Sequence, residues 1–283
     1  MSRTFPLNRR TRKTMVHVIG LMFWAYCSVI AAFGSSAMAQ AQPAATRKVH
    51  RVGQLAKIQP DRVDALKQSY QDNRDGIRAF LNDYQLENFS IYVKELEPGQ
   101  PYLFKYYEYT GDDYAAVLKN MREDPRLQQW EQRFWAEYLE KPTPDALSPW
   151  IDMEEVFFFA GRDDVHVADS DVQRYAMVIG GRPEMVEGYK QLHAHPWQGV
   201  LDAIRKGNLR NYPIYLTKLG DKVYIFTYFE YVGNDFEADM KKIDSEPVTL
   251  AWMKFTDEAC QLPLETRADG EWWANMEEVV SAR

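Results

Sequence analysis

The chain repeats itself once. Residues 49–160 and 172–283 align in the same order at an offset of 122 or 123, so the fold must accommodate one unit twice. Asn88-Phe89-Ser90-Ile91-Tyr92 stands opposite Asn211-Tyr212-Pro213-Ile214-Tyr215, and Phe104-Lys105-Tyr106-Tyr107-Glu108-Tyr109 opposite Phe226-Thr227-Tyr228-Phe229-Glu230-Tyr231. Asp124, Pro125 and Trp130 match Glu246, Pro247 and Trp252, while Met153-Glu154-Glu155-Val156 matches Met276-Glu277-Glu278-Val279. An Asp- and Gly-rich stretch at 161–171 reads as the linker between a first module (40–160) and a second (172–283).

Periodicity assigns the second copy a strand at 174–179, an amphipathic helix from Pro183 to Gly207, and strands at 212–218 and 223–231 around a Gly220-Asp221 turn. Helices at 236–244 and 248–259 and a last strand at 275–280 follow. Copy one repeats the series, with strands at 50–56, 88–94, 102–109 and 152–159 and helices at 60–82 and 112–139. The order strand, helix, strand, strand, helix, strand is the ferredoxin-like split βαβ unit. Because one such module leaves a sheet face bare, the expected α+β fold is two tandem ferredoxin-like modules forming an α+β barrel-type intrachain pseudo-dimer.

The first 39 residues differ from the rest: Arg3, Arg9, Arg10, Arg12 and Lys13 precede an apolar run from Met15 to Phe33, and the stretch ends Ala37-Met38-Ala39. These are the parts of a signal peptide cleaved after Ala39, which predicts an exported protein, periplasmic or extracellular. An uncleaved membrane anchor is the competing reading, since the run is long enough to span a bilayer. Without the leader, 29 basic face 41 acidic side chains, a formal charge of −12 that argues against nucleic acid as a partner. Cys27 falls in the leader, which leaves Cys260 alone and without an internal disulfide.

Chemistry concentrates in the second copy. Tyr189, His193 and Trp197 follow one another at four-residue spacing and so share a helix face, where a titrating imidazole stands beside a phenol and an indole. Their counterparts in copy one are Leu66, Tyr70 and Arg74, so the module folds without the stripe and its presence points to function. His193 and His195 diverge on a continuous helix and cannot share a metal ion unless that helix breaks. His50 and His166 have no supporting pattern, and Glu154-Glu155 and Glu277-Glu278 read as strand ends or salt-bridge formers.

Tyr189-x3-His193-x3-Trp197, the run Asn211-Tyr212-x-Ile214-Tyr215 and the late Trp252 together resemble the L-rhamnose mutarotase family. The resemblance covers nearly all of each copy. It implies a dimeric α+β barrel and a cofactor-free enzyme that interconverts the α and β anomers of a pyranose. It implies that His193 is the proton donor, that Tyr189 and Tyr212 are sugar-binding tyrosines and that Trp252 lines the site of a small-molecule sugar; the phenol of Tyr189 can share the acid–base step with the imidazole, and Trp197 and Asn211 complete the expected sugar contacts. Met253 stands where the family has a second tryptophan, and Pro196 follows a second histidine. Copy one keeps only Asn88, Phe89 and Trp130 and is expected to be a structural partner. A non-enzymatic sugar- or small-ligand-binding protein, or a purely structural tandem, is the alternative on the same scaffold.

Overall fold

The computed structural model describes residues 48–282; the leader read at 1–39, with Cys27, lies outside the described residues. The first copy contributes β1 (His50–Ile58), α1 (Val63–Asp72), α2 (Arg74–Asp83), β2 (Leu86–Glu97), β3 (Gln100–Tyr109), α3 (Tyr114–Glu123), α4 (Pro125–Tyr138), β4 (Leu139–Glu140), β5 (Ile151–Asp152) and β6 (Glu154–Gly161). The second contributes β7 (Gln173–Gly181), α5 (Val186–Ala194), α6 (Gln198–Lys206), β8 (Leu209–Leu219), β9 (Lys222–Tyr231), α7 (Phe236–Ser245), α8 (Pro247–Cys260), β10 (Gln261–Leu262), β11 (Ala274–Asn275) and β12 (Glu277–Ala282). Local signals recur in register. Asp113 and Asp235 cap α3 and α7 by accepting from Ala116 N and Ala238 N, and Pro125 and Pro247 open α4 and α8. Gly99 and Gly220 take positive φ in the two hairpins, at +71° and +60°.

Each sheet has the ferredoxin-like order, but the last strand does not stay at home. The sequence assigns 152–159 to one strand of copy one; the chain instead pairs Ile151 with Leu55 on β1, crosses at Met153, and runs β6 along β8 of copy two. Symmetrically, β11 pairs with β7 and β12 crosses to β2. The crossing points are held alike: Met153 N donates to Gly53 O and Met276 N to Ala176 O, both at 3.0 Å. The resulting orders are β12-β2-β3-β1-β4 and β10-β7-β9-β8-β6. The exchange covers the free edges of β2 and β8, whose unpaired backbone groups would otherwise invite aggregation. Glu154 and Glu277 then bridge to Lys190 and Lys67, each at 2.6 Å.

The sheets bury their inner faces against each other, and the rings there report a pseudo-twofold axis. Tyr106 stacks on its own counterpart Tyr228 at 4.2 Å between centroids, and Phe104 lies 5.4 Å from its counterpart Phe226. The contacts Tyr92–Tyr228 and Tyr106–Tyr215 are symmetry mates, at 6.4 and 6.3 Å. A residue meeting its own equivalent is the signature of an isologous interface, so the single chain forms the pseudo-dimer expected of a tandem. Gly53 faces this core, where an added Cβ would stand 2.7 Å from the buried Tyr215 ring. Gly53→Ala is therefore expected to cost about 1–3 kcal/mol of overpacking, measured as a lower urea midpoint; an unchanged midpoint would show that the ring yields freely.

The helix expected from Pro183 to Gly207 is two helices. His195 takes φ −133° and ψ 60°, and Trp197 is extended at φ −69° and ψ 132° before α6 begins. Pro196 causes the break, because its ring disfavours helical geometry at the residue before it and it has no N–H to donate. Copy one bends at the same place, at Asn73 between α1 and α2, without a proline. Among the described residues no helix is long and apolar enough to cross a membrane.

Candidate functional site

Helix α5 carries Tyr189 and His193 one turn apart, with ring centroids at 4.1 Å. His193 Nδ1 lies 2.9 Å from the Tyr189 carbonyl oxygen, which can only accept, so Nδ1 holds the proton and Nε2 keeps its lone pair. Burial lowers the imidazole pKa from 6.5 to about 4, and the carbonyl raises it only in part. At neutral pH the ring is uncharged and takes up a proton before it can return one.

Three aromatic rings surround the imidazole. Trp252 on α8 meets it edge-on at 5.8 Å, and Phe157 on β6 does so at 5.6 Å. Tyr212 on β8 joins through Phe157, at 6.1 Å, and Trp197 through Trp252, at 5.3 Å. The helix break thus removes Trp197 from the Tyr189–His193 stripe without taking it out of the group. An open cleft of about 370 Å³ runs between β6 and the α5–α6 junction, lined by Phe157, Phe159, His193, Pro196 and Leu201 among others. His193 is therefore half-buried and open to a solute.

The other residues expected at the site are placed unequally. Tyr189 is 1% exposed; its hydroxyl is buried without a well-formed hydrogen bond, with Tyr212, Asp257, Cys260 and Gln261 among the groups that act on it. Burial raises its pKa well above 10, which keeps the phenol protonated. Tyr212 is pushed up to about 12, again by burial. Asn211 lies apart from the His193 group. It takes φ +47° at a bulge in β8 and turns its amide to the inner face of the sheet, donating to Glu108 at 2.6 Å and Glu230 at 3.3 Å and accepting from Tyr106. Asn88, its counterpart, has φ +54°, so asparagine recurs in both copies because it tolerates the left-handed backbone that the bulge requires.

Two contributors escape a reading of copy two alone. Phe157 belongs to copy one and reaches the site only by strand exchange. Asp257 lies on α8 five residues after Trp252, in electrostatic reach of the Tyr189 and Tyr212 hydroxyls, and burial raises its carboxyl to about 6. Its counterpart is Trp135, so an acid in place of an aromatic ring was the available signal. At the copy-one position matching His193, Tyr70 is 1% exposed and wedged edge-on against Trp130 and Phe134 at 5.6 and 4.9 Å. A ring cluster fills the space that the imidazole occupies in copy two. His195 is exposed, and among the described residues no group of three or more His, Cys, Asp or Glu side chains is placed to hold an ion. Cys260 is buried, its Sγ against the Phe255 carbonyl, and burial raises its pKa.

A family model described as L-rhamnose mutarotase matches the chain twice, over residues 51–159 and 174–281. The chain belongs to the L-rhamnose mutarotase family. Both copies match the mutarotase model by sequence, including the copy in which Tyr70 replaces the histidine. No curated protein matches. Among solved structures the chain is similar to a protein of Fusobacterium nucleatum named as a candidate monooxygenase, with 10% identity over 82% of this chain and 93% of that one at a TM-score of 0.48. A Lactobacillus acidophilus protein of the same description shares 6% identity over 82% and 95%, with a TM-score of 0.48. Chlorite dismutase from Candidatus Nitrospira defluvii shares 12% identity over 81% and 92%, with a TM-score of 0.34.

Proposed function

We propose that the protein is an exported, cofactor-free aldose mutarotase with one working site, in the second copy, and that L-rhamnose or a related 6-deoxy sugar is its substrate. The observation that carries this reading is His193, a neutral imidazole with Nδ1 anchored on a backbone carbonyl, lining an open cleft in a chain that belongs to the mutarotase family. Trp252 and Phe157, which touch the imidazole, offer apolar ring surface to the C–H face of a pyranose, with Trp197 beyond Trp252, and Tyr212 offers a hydroxyl to its oxygens.

Ring opening needs a base at the anomeric hydroxyl and an acid at the ring oxygen. His193 Nε2 takes the proton from O1–H as the C1–O5 bond breaks and the aldehyde forms. O5 receives the proton of Asp257, whose carboxyl accepts from Thr256 Oγ1 and lies in electrostatic reach of the Tyr189 and Tyr212 hydroxyls. Rotation about C1–C2 presents the other face of the carbonyl. Reclosure returns one proton to O1 and the other to the carboxylate, and the protein ends unchanged. Tyr189 acts by position, since its carbonyl holds the imidazole tautomer.

The pH profile tests the pairing. Activity requires His193 without its second proton, so it falls as pH drops through about 4, and Asp257 with its proton, so it falls as pH rises through about 6. A bell between these limbs is expected for kcat/KM from NMR exchange between anomers. Asp257→Asn should lower the rate and abolish the upper limb; if that limb persists in the variant, another group is the acid.

A further inference from the structure

The aromatic rings continue past the point where Trp252 touches the imidazole. Trp252, 7% exposed, contacts His193 on one side and Trp197 on the other, and Trp197 meets Phe255 edge-on at 5.7 Å. Trp197 is 37% exposed and Phe255 51%, so an unbroken run of aromatic rings leads from the half-buried imidazole to open solvent. The rim is held in place: an added Cβ at Gly199, two residues after Trp197, would meet Val248 on α8 at 3.0 Å, so α6 lies tightly against the helix that carries Phe255.

Copy one supplies the control. It builds the same helices from matching sequence, and at the positions of Trp197 and Phe255 it carries Arg74 and Arg133, both exposed. The fold therefore does not demand apolar rings there. They occur only in the copy that also carries His193, and they adjoin it.

We infer that Trp197 and Phe255 form an outer subsite for a second sugar ring, so that the substrate of the His193 site is the reducing end of an oligosaccharide rather than a free monosaccharide alone. This rests on the mutarotase reading for what occupies the inner position. Size selects the occupant. Two aromatic side chains exposed to this degree present roughly 200 Å², against about 800 Å² per partner in a stable protein interface. That is the scale of one sugar face, and stacking of its C–H groups on an aromatic ring is the ordinary way such a face is bound. The reacting ring keeps its anomeric hydroxyl free, and the second ring is attached through another oxygen.

The test compares free L-rhamnose with a disaccharide that has L-rhamnose at its reducing end, using NMR anomer exchange for turnover and tryptophan fluorescence for binding. Wild type is expected to bind the disaccharide about tenfold more tightly than the monosaccharide. Phe255→Arg, which installs the copy-one residue, should erase that tenfold gain and leave L-rhamnose turnover within about twofold. Equal loss on both sugars, or no loss on either, overturns the subsite. So does a variant that is monomeric in sedimentation where wild type is dimeric, since the rim would then belong to a second copy of the chain. If wild type turns over neither sugar yet binds the disaccharide in a Phe255-dependent way, the catalytic reading fails and the subsite stands.

Discussion

Replacing His193 with alanine is expected to slow anomer exchange about 10²- to 10⁴-fold, the usual contribution of a positioned general acid–base group. The loss should appear in kcat, with sugar binding measured by tryptophan fluorescence nearly intact, because Trp252, Trp197 and Phe157 keep their ring surfaces. His193→Tyr is the sharper variant. It puts in the residue that copy one carries at this position as Tyr70, where the fold accepts a phenol at full burial. A phenol with a pKa raised by burial cannot accept a proton near neutrality. His193→Tyr should therefore be folded and inactive. Should it retain more than about a tenth of the wild-type rate, the imidazole is not the base.

Phe104→Ala is expected to cost about 3–5 kcal/mol and to lower the melting of the whole chain in one step. Phe104 is fully buried between the two sheets, 5.4 Å from Phe226, 6.2 Å from Tyr215 and 6.3 Å from Tyr92. From the first copy it packs against the second, and the exchanged strands β6 and β12 likewise tie each copy to the other. The copies should then unfold together despite looking like two domains in sequence. Calorimetry that resolves two transitions, one unmoved by the substitution, would show the copies to be energetically separate.

Much of the fold is legible because its signals are local. Asp113 and Asp235 each stand immediately before a helix and are separated by the same offset as Pro125 and Pro247, and the hairpin glycines fall where the alternation of apolar residues stops. The site is less legible. Four-residue spacing places Tyr189 beside His193, as observed, but it extends the same helix to Trp197, and Pro196 ends that helix first. Asn211 adjoins Tyr212 in sequence, yet neighbours on a strand point to opposite faces, and its side chain serves the barrel interior. Asp257 carries no motif; it is marked in the sequence only by standing where copy one has Trp135, and in the structure by its electrostatic reach to the Tyr189 and Tyr212 hydroxyls.

From the residues alone come the duplication, the ferredoxin-like order of each copy and the restriction of the Tyr189–His193 pair to the second, since all three depend on spacing and on which side chain occupies a repeated position. Tertiary structure decided the rest. A strand pairs with whichever edge is open to it, and backbone hydrogen bonds do not distinguish one copy's edge from the other's. The crossings at Met153 and Met276 therefore leave no mark in the periodicity, although they bring Phe157 of one copy against His193 of the other. The charge state of that histidine was decided in the same way, because desolvation depends on how closely neighbouring chain segments pack around the ring, and a sequence gives their order but not their distance.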